Sequence, residues 1–139
     1  MAEYRKPVPV PDERSSAIWE AAREHRLVIQ RCQGCGWYSH PPEAVCPNCR
    51  GIEFAFDAVT GRGKIKSWNV MRHGFVDGFE EDIPYVNVIV ELDEQRGLYL
   101  LATLVDGADA RIAWEAPVEV VFDDVTPEVT LPKFRLVKG

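Results

Sequence analysis

Every cysteine of this 139-residue chain lies in one stretch, "RCQGCGWYSHPPEAVCPNCRG", from Arg31 to Gly51. The spacing is Cys32-x2-Cys35-x10-Cys46-x2-Cys49. Two Cys-x-x-Cys turns suit tetrahedral coordination by four sulfurs, since each turn presents two thiolates and the intervening hairpin brings the turns together. Gly34 and Gly36 permit the positive-φ backbone that aims amides at thiolates, Pro47 stiffens the second turn, and Arg50-Gly51 ends it. Zinc is the expected ion, with iron the competitor, because both knuckles suit either metal and the spacing does not separate them. With Cys32, Cys35, Cys46 and Cys49 all used as ligands, no coordination position stays open for a reacting water, and the site is expected to be structural.

Other thiol chemistries fit less well. Paired disulfides belong to oxidising compartments, and the N-terminal "MAEYRKPVPVPDERSS" has no apolar core of a secretory signal. A redox pair of the thioredoxin kind calls for one Cys-x-x-Cys beside a βαβ pattern, which is not legible here. His25, His40 and His73 are the histidines, and none sits in a zinc-protease helix pattern or beside a free cysteine. No Gly-x-Ser-x-Gly elbow, phosphate loop or dinucleotide fingerprint is present. "GRGK" (Gly61–Lys64) lacks the glycine spacing of a phosphate loop and reads as a strand-entry turn. Acidic "GFEEDIP" reads as a solvated loop. A weaker candidate is the alternating cationic stripe Arg62, Lys64, Lys66, with Arg72 and His73 ending it, which could meet a phosphorylated ligand or an acidic partner.

These residues need positioning elements. "SSAIWEAAREHRL" predicts a short helix, capped by Ser15 or Ser16, with Ile18, Ala21, Ala22 and His25 on one face and Trp19 beside them. "PVPVP" before it is an extended lead-in. "RLVIQRC" and "EFAFDAV" read as strands flanking the cysteine hairpin. Five further strands follow in "GRGKIKSWNVM", "PYVNVIVEL", "GLYLLATLV", "PVEVVFDDV" and "PKFRLVK", with "DGADARIAWEA" able to hold a helical turn between the third and fourth. That order suits a small OB-type barrel. The expected class is mainly β: an N-terminal extension and helix over 1–30, a rubredoxin-like zinc ribbon over 31–56 and a five-stranded OB-fold barrel over 57–139. The ribbon is too small to bury a core of its own and must draw stability from its metal.

Composition sets outer bounds. The chain is 46% hydrophobic and 27% charged, as in a soluble globular domain. Apolar runs reach only about the length of "YVNVIV", well under the roughly 20 residues a membrane span needs, so no membrane partner and a cytoplasmic location are expected. The net charge of −6 is uneven: seven Lys/Arg face six Asp/Glu through Gly51, and nine face sixteen beyond it. An acidic barrel makes a poor partner for a phosphate backbone, so no nucleic acid is expected.

Together, "IWEAAREHRLVIQRCQGCGWYSHPPEAVCPNC", "TGRGKIKSWNV", "PYVNVIVEL" and a terminal "LPKFRLV" resemble the zinc-ribbon/OB-fold family of acyl-CoA-associated proteins, long described as a domain of unknown function. The resemblance runs from about Ser16 to Val137. It implies an accessory subunit of thiolase-superfamily enzymes that docks on a thiolase-like catalytic protein, bridges subunits in a hetero-oligomer and helps shape the acyl-CoA pocket. The family's ligand cysteines fall on Cys32, Cys35, Cys46 and Cys49. Two positions depart from its pattern: Glu43 replaces a frequent Arg, and "IAWEAPV" replaces a glycine-containing turn, putting Trp114 at the expected barrel rim. Trp19, Trp37 and Tyr38, on the helix and ribbon, are the candidate docking anchors. A single-stranded nucleic-acid-binding ribbon/OB module is the alternative, and a self-sufficient thioesterase lacks a visible nucleophile.

Overall fold

The computed structural model describes residues 4, 6–74 and 77–137; the extreme ends of the expected 1–30 and 57–139 segments lie outside the described residues. Helix α1 (Ser16–Arg23) buries Ile18, Ala21 and Ala22, the first three members of the expected stripe. The fourth departs. His25 sits past the helix end at φ 59°, its ring stacked on Phe122 with centroids 5.3 Å apart. Ser15 holds the N-cap position without a side-chain cap bond. Its hydroxyl instead accepts the Asp12 amide at 3.1 Å, while the Asp12 carboxylate accepts the Arg14 and Ser15 amides. The local turn therefore takes the oxygen that the helix end would otherwise use.

Strand β1 (Val28–Cys32) is the centre of a three-stranded sheet, with β2 (Tyr38–Ser39) and β3 (Phe54–Ala58) antiparallel on either side. Side chains alternate across a strand, and here both faces are used. Val28 packs with Ile18, Ala21 and Phe56 under the helix, whereas Leu27 and Ile29 enter the core of the larger sheet.

That larger sheet runs β6–β5–β4–β7–β8, all antiparallel, built from β4 (Arg62–Met71), β5 (Tyr85–Leu92), β6 (Tyr99–Thr103), β7 (Pro117–Asp124) and β8 (Thr130–Leu136). A parallel bridge between Leu104 and Phe134, with the Val105 amide donating to the Phe134 carbonyl at 2.8 Å, brings its ends together into the expected, nearly closed barrel. Val86, Val88, Val90 and Leu92 all point inward, each at most 1% exposed, with Ile65, Val118 and Phe134 opposite.

The "GRG" turn is a packing device. A Cβ on Gly63 would stand 2.4 Å from the Glu91 carbonyl oxygen, and one on Gly61, at φ 78°, would stand 2.2 Å from a Val120 methyl. Only glycine lets β4 approach its neighbours so closely.

The helical turn expected within "DGADARIAWEA" does not form. Those residues make turns, with Gly107 at φ 84° and Glu115 at φ 64°. The segment instead serves β4, whose pairing with β7 covers only Arg62–Lys64. The Glu115 amide donates to the Ile65 carbonyl at 2.7 Å, and the Ile65 amide donates to the Ala116 carbonyl at 3.0 Å. The backbone of Ile65 is buried beyond the reach of β7 and needs partners, and this loop supplies them. One short 3-10 turn, Glu80–Asp82, stands in the acidic loop instead.

Candidate metal centre

β1 delivers Cys32 at its end, and the tight return to β2 carries Cys35. The second knuckle, between β2 and β3, carries Cys46 and Cys49. The two turns are local copies of one another. In the first, the Gly36 amide donates to the Cys32 carbonyl and the Cys32 amide to the Trp37 carbonyl, both at 2.9 Å. In the second, Arg50 and Cys46 repeat this, donating to the Cys46 and Gly51 carbonyls at 2.9 and 2.8 Å. The residue after each second cysteine takes a left-handed backbone: Gly36 at φ 80° and Arg50 at φ 67°. Thus Gly36 behaves as expected, Gly34 is not among the positive-φ residues, and Arg50 carries the strained conformation without glycine's freedom.

The four Sγ atoms lie within 4.8 Å of one another, with Cys32–Cys49 at 3.5 Å and Cys35–Cys46 at 3.6 Å. A tetrahedron with metal–sulfur bonds of about 2.3 Å has sulfur–sulfur edges of about 3.8 Å, so the cluster fits a four-coordinate ion. Cys32 and Cys46 are buried, Cys35 and Cys49 exposed.

Amides point at the sulfurs as a thiolate cluster requires: Gly34 to Cys32 at 3.3 Å, Asn48 to Cys46 at 3.4 Å and Gly51 to Cys49 at 3.4 Å. The Asn48 side chain adds a donor to Cys35 at 3.4 Å. Asn48, and then the Trp37 amide, draw the Cys35 thiol down to about 6. Cys32 is lowered too, chiefly by the Cys35 amide. The Gly51 amide favours the Cys49 thiolate, but the neighbouring Cys32, Cys35 and Cys46 sulfurs, with desolvation, together outweigh it and push Cys49 up to about 12. Four sulfurs at such separations cannot all ionise unless a cation shares their charge, which is the chemistry of a metal ligand set. The four cysteines are positioned to bind a metal, and all four donors point to one centre.

The supporting contacts could not be read in advance. Gln30, 4% exposed, bonds both backbone groups of Glu43: its amide donates to the Glu43 carbonyl at 2.9 Å, and its oxygen accepts the Glu43 amide at 2.7 Å. Gln95, in the β5–β6 turn, does the same to Tyr38 at 2.8 and 2.9 Å. One clamp holds the loop between the knuckles, and the other ties the ribbon to the barrel. Neither had a sequence signal beyond its residue type. Asn48 did: an asparagine inside "CPNC" is a side-chain donor at a knuckle.

The remaining candidates scatter. Trp19 is half-buried and lines a small pocket together with Pro9, Pro11 and Val129, where helix, lead-in and the β7–β8 turn meet. Tyr38 is half-buried, with the Arg31 guanidinium 4.7 Å above its ring. Trp37 stays 37% exposed. Trp114 is 64% exposed at the barrel surface, with the Lys66 ammonium 4.8 Å from its ring and 2.9 Å from the Glu115 carboxylate. Arg62 and Lys64 flank a surface cleft of about 350 Å³, whose walls include Asp93 and Glu119. Register slips between Ile65 and Ser67, so Lys66 has no cross-strand partner on β5. Arg72 and His73 lie exposed beyond the end of β4, away from the cysteines in the chain. The structure brings the four cysteines together, and the cationic stripe is interleaved with carboxylates.

Comparison with known proteins agrees with this architecture. Residues 19–54 match the family described as "ChsH2, rubredoxin-like zinc ribbon domain", and residues 57–123 match "ChsH2, C-terminal OB-fold domain". The chain is 40% identical to a probable enoyl-CoA hydratase alpha subunit of Thermomonospora curvata over 88% of its own length, but spans only 37% of that protein. It is 33% identical to a DUF35 domain-containing scaffold protein of Methanocaldococcus jannaschii, covering 75% of this chain and 73% of that one. Among solved structures, a chain of an "Ltp2-ChsH2(DUF35) aldolase" matches with TM-score 0.82 and 37% identity over 92% of this chain and 98% of that one. A DUF35 protein from Sulfolobus solfataricus, 9% identical with TM-score 0.60 over 90% and 86% of the two chains, shares the fold.

Proposed function

This chain belongs to the DUF35 family, and on that premise we propose that it is a non-catalytic accessory subunit of a thiolase-type acyl-CoA enzyme complex. Carbon–carbon bond cleavage or formation would take place in the partner, on the partner's own cysteine and histidines. One observation carries the reading: the chain matches nearly the whole of a chain in a structure named as a two-component aldolase. The relatives called scaffold proteins support the same role, and so does the drawing of all four thiols into one cluster that leaves none free as a nucleophile.

In this reading Cys32, Cys35, Cys46 and Cys49 hold zinc, which supplies folding energy to the ribbon and no chemistry to the substrate. The three-part division, 1–30, 31–56 and 57–139, and a cytoplasmic setting belong to the same proposal; among the described residues no helix is long and apolar enough to cross a membrane. The acyl-CoA would sit at a shared site. Trp37, exposed on the ribbon, and the Arg62–Lys64–Lys66 stripe with Arg72 and His73 are this chain's candidate contacts; Tyr38 would support the ribbon, and Trp19 would tie the helix to the lead-in and the β7–β8 turn.

The test is an activity assay of the purified chain with acyl-CoA thioesters and their carbon–carbon cleavage substrates, alone and with a thiolase-superfamily protein. Alone it should show no turnover; in the mixture a stable complex should form with activity above that of the partner alone. Enzyme-like turnover by the isolated chain would overturn the proposal.

A further inference from the structure

The outer faces of the barrel strands differ sharply in charge. On β7 and β8 they are laced with ion pairs, Lys133 with Asp123 and Arg135 with Glu119. On β5 and β6 they are almost bare. Between Tyr85 and Val90 and between Leu98 and Val105 there is no charged residue at all, in a chain where charged residues make up 27%. The inward positions of these strands are filled with core, so their outward positions should carry the polar residues of a half-solvated sheet. Asn87 opposite Thr103 follows that rule, but in the middle of the face Ile89 and Leu101 stand directly opposite each other across the pair, 38% and 69% exposed. Tyr99, opposite Glu91, is 47% exposed, and Val105, just beyond the strand, is 50% exposed. Strand β6 is also the last strand of its sheet; just beyond it the chain joins β8 through the Leu104–Phe134 bridge and the Val105 amide, and the Asp106 carboxylate accepts the Leu136 amide. An edge strand is ordinarily protected by a charge, a proline or a bulge, and "YLLAT" has none of these.

The surroundings define the occupant. Three loops bound these two strands. Residues 72–84 carry one Arg against four Asp/Glu, residues 93–97 one Arg against two, and residues 105–116 one Arg against three, a net of −6 in all; on the β4 side Lys64 lies opposite Glu91 and Lys66 pairs with Glu115, so the frame stays net acidic but is partly neutralised there. An uncharged apolar centre inside an acidic frame repels a second copy of itself and favours a surface of opposite rim charge.

We infer that the outer face of β5 and β6, centred on Leu101 with Ile89 and Tyr99 beside it, is the docking surface for the catalytic partner, whose matching surface is apolar at its centre and basic at its rim. The inference rests on the accessory-subunit reading and deepens it, placing the main contact on the barrel rather than on the aromatics of the ribbon. Leu101 is the expected anchor, being the most exposed large apolar side chain of the face.

The experiment uses the full chain and the thiolase-superfamily protein encoded nearest to it, co-expressed and then studied as purified components. Leu101→Glu should weaken the complex by at least about a hundredfold, and the milder Leu101→Ser by about tenfold. Both variants, alone, should keep the wild-type metal content and melting midpoint, since the side chain contributes little to the core. Rising salt should slow wild-type association by about tenfold without a matching change in dissociation, because the rim acts through long-range attraction. If wild type binds and both variants bind equally well, the docking face lies elsewhere and the inference fails while the accessory role stands. If wild type self-associates through this face and loses that with Leu101→Glu, a second copy is the occupant and the inference fails. If wild type forms no complex at all, the accessory reading falls and takes the inference with it.

Discussion

Cys46 is fully buried and Cys49 exposed, yet either loss removes one donor from a four-sulfur set. Cys46→Ser should therefore empty the site and unfold the ribbon, since metal binding of about 10–16 kcal/mol is also folding energy in such units. Elemental analysis with zinc and iron measured together checks the stoichiometry, expected at one ion per chain, and identifies the ion. The knuckle symmetry allows a finer test. Arg50 pays the left-handed backbone strain of about 1–2 kcal/mol that Gly36 avoids. Arg50→Gly should remove it, less about 0.4–1 kcal/mol lost to a freer unfolded chain. A net stabilisation between about zero and 1.6 kcal/mol is expected, while Gly36→Ala should destabilise by about 1 kcal/mol or more; urea titrations compare the two. A third prediction concerns Asp124, whose carboxyl is held below its ordinary range first by the Thr130 hydroxyl and then by His25. A lowered folded pKa means that the stabilisation exists above the unfolded value and is lost as pH falls through the folded one. Asp124→Asn should lower the melting midpoint at neutral pH, and the difference should shrink on acidifying below about pH 4.

At the scale of elements, β4 depends on glycine for its approach to β5. Gly63→Ala would drive a methyl to 2.4 Å from the Glu91 carbonyl oxygen, against backbone that has nowhere to move. A loss of about 1–3 kcal/mol is expected, as for an overpacked core, and denaturant titration reads it. The strands themselves were legible because β5 alternates so plainly that Val86, Val88 and Val90 had to face one core. The loop from Asp106 to Ala116 was not. Its alanines suit a helix, but the unpaired backbone of Ile65, a residue far away in the chain, recruited Glu115 and Ala116 as partners. Local propensity is weak against a buried backbone group that needs a hydrogen bond.

For the whole molecule, ribbon and barrel share one core, with Leu27, just before β1, and Ile29 of β1 packed among Ile65, Val86 and Phe134. Ile29→Ala should cost about 2–4 kcal/mol and lower a single cooperative unfolding transition seen both by ribbon fluorescence and by backbone circular dichroism. Two separate transitions would show that the parts fold independently. Binding to single-stranded DNA or RNA is the other whole-molecule measurement. With nine Lys/Arg against sixteen Asp/Glu after Gly51, no salt-sensitive association is expected at physiological salt.

Cysteine spacing alone marked the four residues that the fold positions to bind a metal, because each Cys-x-x-Cys turn presents two sulfurs to one side and the hairpin between them brings the two turns together. Strand periodicity determined the barrel, because a period of two leaves each residue a single choice of face. Tertiary structure decided what depends on distant partners. The Gln30–Glu43 and Gln95–Tyr38 clamps, the stacking of His25 on Phe122 and the reach of Ile29 into the barrel each join residues whose neighbours in sequence say nothing of one another. The bare face of β5 and β6 lies between these cases. "LYLLATLV" shows its lack of charge in the sequence, but only the register that sets Leu101 outward beside Ile89 turns that lack into an exposed surface.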